Sequence, residues 1–482
     1  MADRSLRAPV AATPFRTIGI VALLVAAGTA IPFAPPRLVV LGTAALVLAI
    51  AVILHPSVAA YALIGITPLV AGIDRGRLVP VLRPAEALAL LVGGALIARG
   101  LLRIRSGSIP RIRLSRIDVS ILLVAVTSSI VPLAWMVARN QTVTQDDLLY
   151  ALMIWKYYGV FLIVRAAVRT EGEVRTCLWI SMASAALVAV LAVLQSLQLF
   201  GVTRTLSGLY TAYGSVQALH NNRGGSTLSL PIAVADLMVF NLAIAVGFLL
   251  RARDRSWILY GAAALFVMGV VASGEFSGAI ALILGLVTLA LITRRARVVA
   301  AFVPALLAAG MFLRPVIEKR LMGFQSASGL PVSWQGRIYN LTNYFWPQLA
   351  SHGNFILGVR VSARVSTSTM ATGYIWIESG YTWLLWSGGI PLLCAFAYFL
   401  WVNLRASLPR SRRDDAVGVA ALAVSVGLIV IAVLMLIDPH LTYRGSADLL
   451  FALLALAGVG AARSLRGPQS GEAALSASEA AP

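Results

Sequence analysis

The sequence predicts an all-α polytopic membrane protein, and three observations carry that reading. Hydrophobic residues fill 59% of the 482 positions and charged residues only 12%, about half the charged share of an ordinary soluble chain. Apolar runs of roughly 17 to 25 residues, long enough to cross a bilayer as a helix, recur from end to end. Between them, arginine clusters alternate with connections poor in basic residues, the asymmetry that membrane insertion imposes.

Taken in order, the runs predict about fourteen transmembrane helices, with twelve to fourteen the working range. They lie near 17–34, 37–54, 56–73, 84–102, 117–138, 147–168, 174–200, 229–250, 256–273, 277–293, 297–313, 374–402, 416–437 and 447–463. The leading stretch "MADRSLRAPVAATPFRTIGIVALLVAAGTA" has some features of a signal peptide. With so many spans behind it, it reads as an uncleaved first helix after a cytoplasmic segment at 1–16. Residues 17–463 form the transmembrane domain, and 464–482, small and polar, a disordered cytoplasmic tail.

With the N-terminus inside, the inward connections include "RGLLRIRSGSIPRIRLSR", "RAAVRTEGEVR", "RARDR", "RRAR" and "NLRASLPRSRRDD". The opposite ones, such as "ARNQTVTQDD", "SGEFS" and "DPHLTYRGSAD", are poor in arginine. Both termini are then cytoplasmic. The net charge of +20 reports topology before it reports a nucleic acid, and none is expected as a partner. Cys177 and Cys394 sit in apolar runs and read as packing residues.

Two long connections fall outside, at about 201–228 and 314–373. The second carries Arg314, Lys319, Arg320, Arg337, Arg360 and Arg364 against Glu318. A solvated loop is the plain reading, and a surface that meets an anionic ligand is the sharper one. Nucleotide-binding loops and Cys/His clusters with metal spacing are absent, so no cofactor and no metal are expected. An enzyme at the outer face would need a substrate already activated, and a lipid-linked diphosphate supplies the leaving group. Arginine suits that partner because its planar fork pairs with phosphate oxygens.

Within the loop, a helix over 336–346 would set Arg337, Asn340 and Tyr344 on one stripe beside an apolar stripe of Ile338, Leu341 and Phe345. Pro347 would end or bend it. Such a helix could lie at the interface with its apolar side down, although Arg337 facing water is the plainer alternative. Glu378, Glu275 and Asp236 fall near outer span ends, and Lys156 nearer mid-membrane, where it needs a partner such as Asp236 or another carboxylate. His220 and His352 read as exposed loop histidines. Asp438 and His440 are outside but unplaced by sequence.

Four segments between about 200 and 405 resemble the O-antigen ligase/polymerase family of bacterial membrane glycosyltransferases: "NNRGGSTLSLPIAVADLM", "VVASGEFSGAIALILGL", "GRIYNLTNYFWPQLASHGNFILGV" and "GYIWIESGYTWLLWSGGIPLL". The resemblance implies a GT-C-type helical fold in the bacterial cytoplasmic (inner) membrane. It also implies an undecaprenyl-diphosphate-linked glycan as substrate, transfer to a glycan acceptor on the outer face, and no metal or nucleotide. The lipid bilayer is the surrounding partner, and other polysaccharide export proteins are conceivable ones. By position, the resemblance implies Arg337 and then Arg223 as the diphosphate contacts; the loop's polar stripe and basic charge add Asn340, Tyr344, Arg360 and Arg364 as substrate-binding candidates.

The chain departs from the family pattern twice. Ser273-Gly274-Glu275-Phe276-Ser277 lacks the usual arginine, and Tyr374, Glu378 and Ser379 stand where ligases place a histidine. The departures favour a polysaccharide polymerase over a ligase, with Glu378 or Glu275 as the base that accepts a hydroxyl proton. A flippase-like transporter is the alternative outside enzymes.

Overall fold

The computed structural model describes residues 36–104, 114–210, 222–250, 256–324, 329, 331–368 and 373–460. The expected first span at 17–34, both end segments and His220 lie outside them. The described chain is mostly helical.

Helices α1 (Pro36–Leu54) and α2 (Ser57–Val70) lead into α3 (Pro84–Ile104), α4 (Arg116–Thr127) and α5 (Ile130–Ala138). Next come α6 (Gln145–Ala167), α7 (Glu171–Ser196), α8 (Val202–Leu209), α9 (Pro231–Leu250), α10 (Trp257–Ser273) and α11 (Phe276–Thr293). The shorter α12 (Arg297–Ala301), α13 (Val303–Phe312), α14 (Arg314–Leu321), α15 (Val332–Asn340) and α16 (Trp346–Ala350) precede a ribbon of β1 (Arg364–Ser366) and β2 (Tyr374–Trp376). Helices α17 (Gly380–Arg410), α18 (Ala416–Leu434) and α19 (Ser446–Ala457) complete the order.

Local chemistry sets several starts. Ser115 with Asp118, Thr144 with Asp147 and Thr170 with Glu173 form reciprocal capping boxes at α4, α6 and α7, each satisfying backbone donors that a helix start leaves open.

Among the described residues, eight stretches are long and apolar enough to cross a membrane. They are Pro84–Ile104, Arg116–Ala138, Gln145–Ala167, Glu171–Ser196, Pro231–Leu250, Phe276–Thr293, Gly380–Arg410 and Ala416–Leu434. A ninth would be the pair Val299–Phe312 and Arg314–Phe324, bent by 78°. Four more apolar helices, Val39–Leu54, Ser57–Val70, Trp257–Ser273 and Ser446–Ala457, fall short of the same length. Each predicted run from residue 37 onward thus meets an apolar helix, but hydropathy counts apolar residues past the point where a helix stops. The run near 297–313 turns at Leu313 because Pro315 opens a new helix.

Burial ranks the helices. α9 and α18 are 94% and 83% buried over their spanning windows, whereas α3 is 11% buried, so the first two form the centre and the third lies at the rim. Leu90, Ile97 and Leu101 of α3 face outward, as a lipid-facing surface requires. Lys156 of α6 pairs with Asp448 at 2.8 Å rather than with Asp236, and its ammonium lies 4.4 Å from the Tyr157 ring centre.

The 314–373 loop is hooked into the bundle. α17 is interrupted at Gly389 (φ 66, ψ −156), a conformation open essentially to glycine alone. The Ile390 N–H there donates to the Phe355 and Ile356 carbonyls at 3.0 and 3.1 Å. A Cβ on Gly389 would sit 2.2 Å from the Ile356 oxygen. Val359 N–H donates to Trp386 O at 2.7 Å, and Trp386 Nε1 returns a bond to Ser362 O at 3.0 Å.

Candidate functional site

One end of the bundle gathers charge from segments far apart in sequence. α10 ends at Ser273 with Gly274 in the left-handed region (φ 61), and extended Glu275 then opens α11. This two-residue elbow throws Glu275 toward two arginines. Arg223 Nη1 lies 3.1 Å from its Oε1 and Arg320 Nη2 3.4 Å from its Oε2. Arg223 is set by its neighbour, because Gly224 N–H donates to Ala272 O at 2.9 Å. The following 224–229 segment is buried, held by Ser226 N–H to Gln195 Oε1 at 2.7 Å and by Thr227 Oγ1 to Pro68 O at 2.8 Å. Arg320 arrives on α14, beyond the bend, with its guanidinium 4.9 Å from the Phe276 ring centre.

Arg337 on α15 joins a second group. Its Nη1 donates to Asp438 Oδ2 at 2.7 Å, and its Nε lies 3.7 Å from Glu378 Oε1. The Asn340 side chain bonds to Glu378, and the Tyr443 hydroxyl to Asp438. The α17 start and the α18 end meet through Tyr381 N–H to Met435 O at 3.1 Å, which brings Glu378 and Asp438 together. Beneath them His440 Nδ1 lies 2.8 Å from Asp236 Oδ2, both residues 1% exposed.

Electrostatics link the groups. Burial pushes the Glu275 carboxyl above its ordinary value against the pull of Arg223 and Arg320. Burial likewise raises Asp438 against Arg337 and His440. Half-buried Glu378 is raised by desolvation and by the Asp438 charge, while Arg337 and Asn340 oppose the shift. Three buried polar atoms in these segments, Ser277 Oγ, Arg320 Nε and His440 Nε2, have no hydrogen-bond partner among the described residues. Such atoms normally find a partner.

Of the residues singled out from sequence, Arg337, Asn340, Glu378, Glu275 and Arg223 thus meet at this end. Arg360 and Arg364 do not join their ion pairs. Arg360 Nη2 lies 2.6 Å from Asp147, which is fully buried, and Arg364 pairs with Asp146, both acids in the first turn of α6. Tyr344 meets Tyr339 edge to face at 6.3 Å and makes none of the cluster's ion pairs. His352 is exposed, on a left-handed turn (φ 52).

The expected single helix over 336–346 is corrected. α15 passes into a π-helical turn at Leu341–Phe345, and α16 follows with Pro347 in its first turn. Leu341, Phe345 and Leu349 are buried, while Ile338 is 50% exposed and the Arg337 side chain only 17%. Arg337 therefore lies toward the buried side, four residues before Leu341, and Ile338 faces out. The ion pairs hold the guanidinium inward, where an apolar stripe was expected to lead.

Sequence reasoning missed Arg320 and left Asp438 and His440 unplaced. An ionisable residue inside an apolar run, such as Asp236, signals a missing partner, but only packing shows that the partner is His440. Metal-holding groups of three or more His, Cys, Asp or Glu are absent among the described residues. The chain matches no protein-family model, no curated protein and no solved structure.

Proposed function

We propose that this protein is an outer-face polysaccharide polymerase of the O-antigen ligase/polymerase type, with the GT-C-like architecture of up to fourteen spans expected from sequence. It transfers a glycan from undecaprenyl diphosphate to a hydroxyl of a lipid-linked acceptor. The observation that carries the reading is that three arginines from separate segments gather at one bundle end: Arg223 and Arg320 on Glu275, and Arg337, whose charge also acts on Glu275, beside half-buried Glu378.

Three guanidiniums present paired donors suited to a diphosphate. In the resting arrangement Glu275, Asp438 and Glu378 occupy those donors. Carboxylates raised toward protonation give up their arginines to an incoming anion at less cost than strongly acidic ones would. Glu378 then accepts the proton of the acceptor hydroxyl, whose oxygen bonds to the anomeric carbon. The bond from that carbon to the diphosphate breaks, and the arginines stabilise the charge that develops on the leaving group. On this reading the bundle end that carries these three arginines is the outer one, the arginine-rich connections at the opposite end and both termini are cytoplasmic, and the membrane is the bacterial inner one.

Purified protein in proteoliposomes, given labelled lipid-linked glycan, tests the reading. Longer lipid-linked chains are expected. A new glycoconjugate on a different acceptor would make it a ligase, and movement of intact substrate without bond formation would make it a transporter.

A further inference from the structure

The segment that delivers Glu378 carries more than that carboxylate. Successive residues of an extended chain point to opposite faces. Ile375 and Ile377 are 4% and 3% exposed, and Ile377 N–H donates to Ala363 O at 3.0 Å, so extended pairing continues past β2 toward α17. Tyr374, Trp376 and Glu378 are each half-buried and share the other face, in one line.

The ribbon register sets Arg364 opposite Trp376. Its guanidinium lies 4.4 Å from the Tyr374 ring centre and 5.7 Å from that of Trp376. The two rings meet edge to face at 5.2 Å, Tyr150 of α6 adds a third ring 6.1 Å from Trp376, and Asp146 pairs with Arg364.

We propose that this face is a saccharide-binding track, which holds the sugar chain of the acceptor and leads its terminal hydroxyl to Glu378. The proposal rests on the transferase reading above and names where its acceptor lies. A pyranose ring has an apolar face of C–H groups, which suits an aromatic π face, and a rim of hydroxyls that donate and accept. Rings flanked by a guanidinium and a carboxylate serve both. A phosphate would meet the Asp146 charge beside Arg364, and a lipid tail would leave that ion pair unused. The two-residue repeat of a strand is about 6.6 Å, so Trp376 and Tyr374 stand one and two such steps back from Glu378 along the same face.

The test uses the full chain in nanodiscs and, as probe, oligosaccharide released by mild acid from the lipid-linked pool of the source cells. Saturation-transfer NMR is expected to detect binding to the wild type. Trp376→Ala should weaken it about tenfold, the scale of one lost aromatic contact, and Trp376→Phe should restore most of it. Tyr374→Ser, nearer the ribbon tip, gives a second reading should Trp376→Ala fail to fold. Unchanged affinity in a folded Trp376→Ala or Tyr374→Ser protein overturns the track. The same preparations are assayed for transfer. A wild type that binds oligosaccharide through Trp376 yet forms no glycosidic bond sinks the transferase reading and leaves the saccharide site standing. Normal product length from folded Trp376→Ala overturns the track while leaving the transferase intact.

Discussion

The 314–373 loop holds two kinds of arginine that its charge count makes look alike. Arg360 binds Asp147, a fully buried carboxylate that also accepts from the Thr144 backbone and hydroxyl and from Ser362 N–H at 3.0 Å. Every group there is satisfied, and the pair ties the loop to the start of α6. Arg337 instead shares itself between Asp438 at 2.7 Å and Glu378 at 3.7 Å, and the Glu378 side chain is 37% exposed. One arginine is a strut and the other is exchangeable. The partners distinguish them: Arg360 has one buried, fully bonded acid, whereas Arg337 divides itself between buried Asp438 and Glu378 at the rim.

Four substitutions probe that contrast. Arg360→Ala should have the largest effect on stability, about 3 kcal/mol, because it leaves Asp147 buried without its cation; thermal unfolding in detergent reads this as a marked fall in Tm. Retained stability would erase the distinction between the two arginines. Arg337→Ala should insert normally and lose less stability than Arg360→Ala, because the Asp438 carboxyl it leaves behind is already raised toward protonation, yet slow transfer about 10² to 10³-fold, the scale of losing one preorganised donor to the leaving group. Full activity in that variant removes the diphosphate role.

Glu378→Gln sharpens the contrast through pH. The carboxyl is raised above its ordinary value, and only the ionised form accepts a proton. Wild-type turnover should therefore fall as pH drops through a value above the usual glutamate range, and be retained above it. The variant should lose about 10²-fold in rate and lack that acid limb. A pH profile identical to wild type excludes Glu378 as the base. Last, Ile338→Ala should change stability by no more than about 0.5 kcal/mol, since the side chain faces out of the loop. A core-sized loss would mean that the expected apolar stripe, rather than the observed inward Arg337, is correct.

The helical, membrane-spanning character was legible in sequence because hydropathy and charge alternation are local properties. Glu275 and Glu378 were legible too, as ionisable residues near span ends where charge is otherwise sparse, while Arg337 was singled out by its polar stripe and Arg223 by the family resemblance alone. Arg320 was not, since nothing in "RPVIEKRL" marks it apart from Arg314 or Lys319; only packing shows Arg320 beside Glu275 while Arg314 pairs with Glu318. The π-turn at Leu341–Phe345 escaped because its apolar spacing also fits an α-helix, and one turn of different pitch moves the face downstream. The centrality of α9 and α18 was equally hidden, as every span is apolar and only packing separates the enclosed from the lipid-facing.

The hook at Gly389 bears on how the protein is made. A chain is synthesised from its N-terminus, and earlier parts begin to fold first. The loop that presents Arg320, Arg337 and the ribbon emerges before Trp386 and Gly389, the residues to which it fastens. It must therefore wait without its clasp, and the cluster is complete only after α17 and the Asp438 connection have followed. Assembly of the site is a late event of biogenesis, timed by the order of the chain itself.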